Sequence, residues 1–430
     1  MPSRPVDASI ANGGDAGAAR SAQQVHAPQD GPRGSPRMPM LDAVKGLACL
    51  VIVGHHLTRY GPMPLVAFPL APALIHWLSN DGRLAVQVFL VIAGYLAAGG
   101  IAPAGRLNTG NTGARIARRY GRLVMPYLVA LTFSVVVAAV VRPWLHDDAV
   151  PGVPNLLQLV AHGLLLQDLL GYDALSAGVW YVAIDFQLFV LSLVAVGFAA
   201  WIEQRWRPGT SVGREAPDLG DSAGHALRAH WIAVVIVLGL ATGSLVFFNL
   251  HAELDSTALY FFGAYGLGML TFWIGCADRP HKPGEHAGPA LWRTGLLLLV
   301  LLGAAALAFD WRSRIAIALV TALAIAVAQH LHWLQWSDWP AWARPLARLG
   351  RMSYSLFLIH FPVILLVSAV VGRWVPAAPW VDAAGMVAAL LLSIAAASLL
   401  YRRVELRPAT WRGVLVSFAG LLVFGALASL

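Results

Sequence analysis

Apolar residues fill blocks of about twenty positions along nearly the whole chain, separated by short stretches that are polar or contain Gly and Pro. The blocks run 41–60, 84–100, 123–142, 179–202, 230–250, 257–276, 291–309, 313–334, 352–372, 382–401 and 412–430. Each suits a helix that crosses a hydrocarbon layer ~30 Å thick, so eleven spans are predicted. A weaker stretch, Leu156 to Leu169, is too short and too interrupted by Gln158, His162 and Gln167 to span, and is read as an interfacial helix. Residues 1–37 lack any apolar core and are rich in Ala, Gly, Pro, Ser, Asp and Arg, which predicts a disordered cytoplasmic tail rather than a signal peptide or a folded domain. The polar segment Gln204 to Arg228 reads as a mobile connector between two halves. The pattern therefore predicts an all-α polytopic membrane protein.

Composition agrees. Of 430 residues, 58% are hydrophobic and only 12% charged, with a mean hydropathy of +0.65, far from the ~25% charged residues of a soluble domain. Charge then adds a direction. With a cytoplasmic N-terminus, the inner segments carry 23 Lys and Arg against six at outer positions, the bias expected of spans that alternate as drawn. Arg312 and Arg314 are the main exceptions. The net charge of +8 lies mostly in these loops, where it meets anionic lipid, and no basic, aromatic-laced soluble segment points to nucleic acid. Cys49 and Cys276 are far apart and read as packing residues, with no disulfide or metal-ligand spacing. His76, His162, His251, His281, His286, His330 and His332 are assigned to loops or span ends, and Trp77, Trp144, Trp311 and Trp336 to the membrane interfaces.

A charge near the bilayer centre costs ~2.5–3.5 kcal/mol on insertion scales, so the few ionisable residues inside spans are read for function. They are Lys45, His55, His56, Asp185 and His360. Lys45 and His56 share one helical face, ~16 Å apart along the axis. His56, Asp185 and His360 fall in one middle-to-outer slab. Such an imidazole, oriented by the Asp185 carboxylate, is suited to deprotonating a hydroxyl that attacks a thioester. The competing reading is polar glue between helices. Arg115, Arg118, Arg119 and Arg122 lie within two turns and suit either the phosphates of a donor or the positive-inside bias.

Four segments carry a likeness to a known family. Leu41-Asp42-Ala43-Val44-Lys45-Gly46-Leu47 followed by His56 resembles a Leu-Asp-x-x-Arg-Gly opening with its Arg-x10-His pair. Val88 to Tyr95 is similar to an apolar helix ending in Ser-Gly-Phe, and Trp180 to Gln187 resembles Trp-Ser-Leu-x-x-Glu-x-Gln. Gly350 to Pro362 resembles a late Gly-x-x-Ser-Tyr-x-x-Tyr-Leu-x-His-x-Pro helix. In this order they resemble the acyltransferase 3 family of membrane-bound acyltransferases, which includes enzymes similar to O-antigen and exopolysaccharide O-acetylases.

The resemblance implies a ten-helix acyltransferase-like core within residues 38–410, with 411–430 as an additional C-terminal helix. It further implies transfer of an acyl group, acetyl by default, from cytoplasmic acyl-CoA to a hydroxyl of a cell-surface glycan or lipid-linked sugar, in a bacterial inner membrane and with no permanently bound cofactor. On this reading His56 and Asp185 are catalytic, and Lys45, Arg118, Arg119 and Arg122 bind the donor. Arg83, Gln87, Trp180, Gln187 and His360 line the acceptor side. The chain departs from the family pattern at Lys45 (for Arg), Asp185 (for Glu) and Gln87 (for Asp). The runner-up reading is a proton-coupled secondary transporter with His56, Asp185 and His360 as a relay; it predicts broken helices, for which His360-Phe361-Pro362 offers one local break.

Overall fold

The computed structural model describes residues 38–103, 107–108, 110–206, 219–277, 289–335, 340 and 343–429. The predicted tail, residues 207–218 of the 204–228 connector, and His281, His286 and Trp336 lie outside these residues; the rest of that connector is not loop, since Gln204 and Arg205 end α7 and residues from Leu219 to Arg228 open α8. Among the described residues there is no strand. The helices are α1 (Pro39–Leu57), α2 (Met63–Ala67), α3 (Pro72–Asp81), α4 (Val86–Ile101), α5 (Thr112–Val141), α6 (Leu156–Gly163), α7 (Val179–Arg205) and α8 (Leu219–Val246). They continue as α9 (Ala258–Ala277), α10 (Pro289–Phe309), α11 (Ser313–His330), α12 (Arg344–Arg351), α13 (Ser353–Trp374), α14 (Pro379–Leu400) and α15 (Trp411–Leu427).

Among the described residues ten helical segments are long and apolar enough to cross a membrane. A 3-10 turn, Gly82–Ala85, joins α3 and α4 into one of them, and a π-helical turn, Tyr401–Glu405, prolongs α14. The eleventh predicted span is α15, with 17 residues, or ~26 Å of helix, short of the usual spanning length. Helix α5 starts eleven residues before the apolar block that announced it, so the arginines from Arg115 to Arg122 are helical. The break predicted at His360-Phe361-Pro362 is absent: α13 runs through Pro362 without interruption.

Among the described residues the two largest hydrophobic cores share the bundle, beside two smaller clusters. One is built mainly from α4, α8, α9 and α11, the other from α5, α13, α14 and α15, and α1 and α7 contribute to both. Glycines set the tightest approaches. Gly94 and Gly268 lie against the Tyr265 and Val91 carbonyls across α4 and α9, and Gly46 and Gly350 against the Leu346 and Asp42 carbonyls across α1 and α12. A Cβ at any of the four falls inside backbone contact distance, the usual reason for small residues between membrane helices.

Structure also accounts for the two exceptions to the charge bias. Arg312 donates to the Leu245 carbonyl at 2.6 Å and to Asn249 Oδ1 at 2.9 Å. Arg314 donates to the Asn249 carbonyl at 2.7 Å and to the Tyr260 hydroxyl. Both guanidinium groups satisfy carbonyls at the end of α8, a structural task that outweighs topology signalling at these positions.

Candidate active site

A pair of imidazoles meets between α1 and α13. His56 stands ten residues after Gly46, and His360 ten after Gly350. Gly46 packs on the Gly350 backbone, and ten residues beyond each glycine, along α1 and across the α12–α13 junction at Met352, the two rings meet. His56 Nδ1 and His360 Nε2 are 2.5 Å apart, with ring centroids 4.8 Å apart and the planes nearly parallel. His360 is fully buried, while His56 is partly exposed.

The hydrogen-bond chain assigns the tautomers. His360 Nδ1 lies 3.1 Å from the Leu356 carbonyl, which only accepts, so Nδ1 carries the proton and Nε2 accepts. His56 Nδ1 must then donate, which leaves the lone pair of His56 on Nε2. Among the described residues nothing hydrogen-bonds to that nitrogen. The Tyr60 ring packs 5.2 Å away, centroid to centroid.

A cavity of about 760 Å³ lies between the two cores and is lined by α1, α4, α5, α7, α13 and the π-helical turn. One end is charged, with Asp42, Lys45, Arg119, Arg122, Asp185, Arg351, Glu405 and Arg407; the other is apolar, with Ile52, Val86, Phe89, Ile92 and Phe357. Lys45 pairs with Asp42 at 2.8 Å. Arg119 pairs with Asp185 at 2.5 Å, and its guanidinium lies over the Phe189 ring. Arg119 Nε is buried without a partner among the described residues. Arg122, Arg351 and Arg407 form no ion pair among the described residues and are exposed at the mouth. The cavity thus offers a cationic rim in front of an apolar throat, suited to an anionic head group with a slender arm.

The predicted site residues divide. Lys45, Arg119, Arg122 and Asp185 come together in the cavity, and His56 meets His360. Asp185 does not orient His56. The shared slab expected for Asp185 and His56 is not observed because α7 begins inside the bundle: its N-cap, Gly178, has φ 82° and packs against the Phe357 ring. Seven further residues carry Asp185 ~10 Å away from that level, to Arg119. The imidazole partner is supplied by His360 instead.

Arg118 is exposed and off the cavity, one residue out of register with the Arg115, Arg119 and Arg122 face. Arg115 closes the end of α4 by donating to the Gly100 carbonyl at 3.0 Å. Gln187 bonds to the Ala258 amide and Ser256 carbonyl at the start of α9, and Trp180 stacks on Phe261. Neither these two nor Arg83 and Gln87 line the cavity.

His162, assigned from sequence to the interface, is fully buried. It donates from Nδ1 to the Gln158 carbonyl at 2.8 Å and accepts the Leu175 amide on Nε2 at 3.2 Å. Glu405 follows Arg402 and Arg403 just past the tenth apolar block. The π-helical turn rotates it inward, where it accepts from the Ser355 hydroxyl at 2.5 Å. A lone carboxylate among Arg402, Arg403 and Arg407 was the available signal, and π-helical turns recur at functional sites.

Ten apolar spans around a buried imidazole pair and a cationic cavity define a polytopic membrane protein of catalytic type. The chain belongs to the acyltransferase 3 family: the family model described as an acyltransferase domain matches residues 39–402. It is accordingly an acyltransferase. Neither a curated protein nor a solved structure matches it.

Proposed function

We propose that the protein transfers a short acyl group, acetyl by default, from acyl-CoA to a hydroxyl of a cell-surface glycan or lipid-linked sugar. The observation that carries this reading is the alignment of a cationic cavity mouth, an apolar throat and the His56/His360 pair along α1 and α13. The donor's phosphates meet Lys45, Arg119 and Arg122, joined by Arg351 and Arg407, and its acyl arm extends past Ile52 toward His56. Ile52 precedes His56 by four residues, ~6 Å along the helix.

His56 Nε2 takes the proton of the acceptor hydroxyl as its oxygen attacks the thioester carbonyl. A carbon–oxygen bond forms, the carbon–sulfur bond breaks, and the proton passes from the imidazole to the departing thiolate. His360 accepts the hydrogen bond from Nδ1 throughout and steadies the imidazolium. The Lys and Arg bias of the inner segments supports a donor that enters from the cytoplasm, with the acceptor on the opposite face. A bacterial inner membrane fits this arrangement.

Mass spectrometry of glycans and lipids in membranes supplied with labelled acetyl-CoA tests the reading. His56→Ala is expected to lower transfer by ~10²–10⁴-fold while CoA binding to the purified protein persists. Undiminished transfer by that variant would remove His56 from the mechanism, and a wild-type protein that binds no CoA would refute the donor.

A further inference from the structure

The His pair and the cavity do not communicate freely. Neither His56 nor His360 lines the cavity, whereas Ile52, one turn before His56, and Phe357, one turn before His360, both do. Phe357 is 6% exposed and Ile52 2%. The Tyr181 ring meets the Phe357 ring edge-on at 5.2 Å, Phe89 meets Tyr181 at 6.3 Å, and the Phe357 centroid is 6.1 Å from that of His360.

The Phe357 ring is also held from behind. Gly178, at φ 82°, lies so close that a Cβ there would come within 2.7 Å of the ring. The left-handed backbone and the missing side chain together bring the start of α7 onto the Phe357 ring. Ile52, Phe89, Tyr181 and Phe357 therefore narrow the apolar end of the cavity on the side facing the imidazoles.

We propose that Phe357, backed by Gly178 and Tyr181, is the residue that sets acyl-chain length. The assignment rests on the acyl-CoA reading above. A thioester carbonyl brought up to His56 must place its acyl carbons beside Phe357, and the ring occupies the volume a longer chain needs. In a well-packed apolar pocket one methylene changes discrimination by about 10- to 200-fold. Phe357 therefore selects acetyl-sized groups over butanoyl and longer ones, and trimming it makes room for the excluded carbons.

The experiment offers purified wild-type protein in lipid nanodiscs an equimolar mixture of acetyl-, propanoyl-, butanoyl- and hexanoyl-CoA with a saccharide acceptor. Products are resolved by mass. Wild type is expected to favour acetyl; Phe357→Ala is expected to raise the butanoyl-to-acetyl ratio about tenfold or more, and Phe357→Leu to fall between. Ile52→Val trims the same wall from α1 and is expected to move the ratio in the same direction to a smaller extent, which keeps the test open if the Phe357 variants fail to fold.

Folded variants that transfer acetyl with an unchanged ratio overturn the assignment, as do folded variants inert with every donor. A wild type that takes hexanoyl as readily as acetyl overturns it too. A wild type inert with all four thioesters overturns the donor reading itself, and the assignment with it.

Discussion

At the scale of single residues, the polar groups divide by whether their hydrogen bonds leave a free valence facing a substrate. His360 spends both ring nitrogens on protein partners, Leu356 and His56, so under the proposed mechanism it positions His56 and does not touch substrate. His360→Ala is expected to lower kcat about tenfold with little change in donor KM, and His360→Gln, whose amide oxygen accepts from Nδ1 of His56, to restore part of that loss. Equal falls in His360→Ala and His360→Gln would show that an acceptor at this position is not what matters. His162 is bound on both nitrogens outside the spans. Burial pushes its pKa from 6.5 down to about 4, and the Leu175 amide already points at Nε2. The folded protein thus resists taking a proton that the unfolded chain accepts. Its contribution to stability is complete above pH 6.5 and is lost as the pH falls toward 4. Thermal unfolding in detergent should show that slope, and His162→Gln should flatten it. In sequence, the chemical types of the site were legible, because an ionisable residue in an apolar block is conspicuous. Their pairing was not, since Asp185 and His360 compete for His56 only in three dimensions.

At the scale of elements, backbone approach decides where side chains arrive. The α1–α12 contact through Gly46 and Gly350 fixes the charged rim, because Asp42 and Lys45 lie on one side of it and Arg351 on the other. Gly350→Ala drives a methyl group into the Asp42 backbone and is expected to cost about 1–3 kcal/mol. Its signature is a lowered unfolding temperature together with a raised donor KM; an unchanged unfolding temperature would show that the helices separate without strain. Helix α7 teaches a related lesson. Its apolar block was correctly located, yet its start lies inside the bundle, since the segment from Leu164 to Gly178 carries the chain inward before α7 begins. Apolar length reports that a helix exists, not the depth at which it starts.

For the whole molecule, apolar length predicts eleven spans, of which ten are long enough among the described residues, and the Lys and Arg bias predicts a cytoplasmic N-terminus. A single cysteine placed at Arg118 is expected to react with a membrane-impermeant maleimide only from the cytoplasmic side, and one at Asp148 only from the opposite side. The native Cys49 and Cys276 are both buried and give little background. Labelling of both positions from one side would overturn the topology. The two cores meet around the cavity, whose lining draws on both.

The amino-acid sequence alone determined that this is a helical membrane protein, with one more span predicted than the ten the structure shows among its described residues, and it identified His56, His360, Lys45 and the α5 arginines as chemically costly residues. Transfer of apolar side chains out of water is a local, additive quantity, so it can be read along a line. Only the tertiary structure decided that His56 pairs with His360, that Asp185 turns to Arg119, that Glu405 faces inward, and that an aromatic wall stands between the cavity and the imidazoles. Those outcomes depend on helix depth, rotation and glycine-mediated approach, which arise from packing between segments hundreds of residues apart.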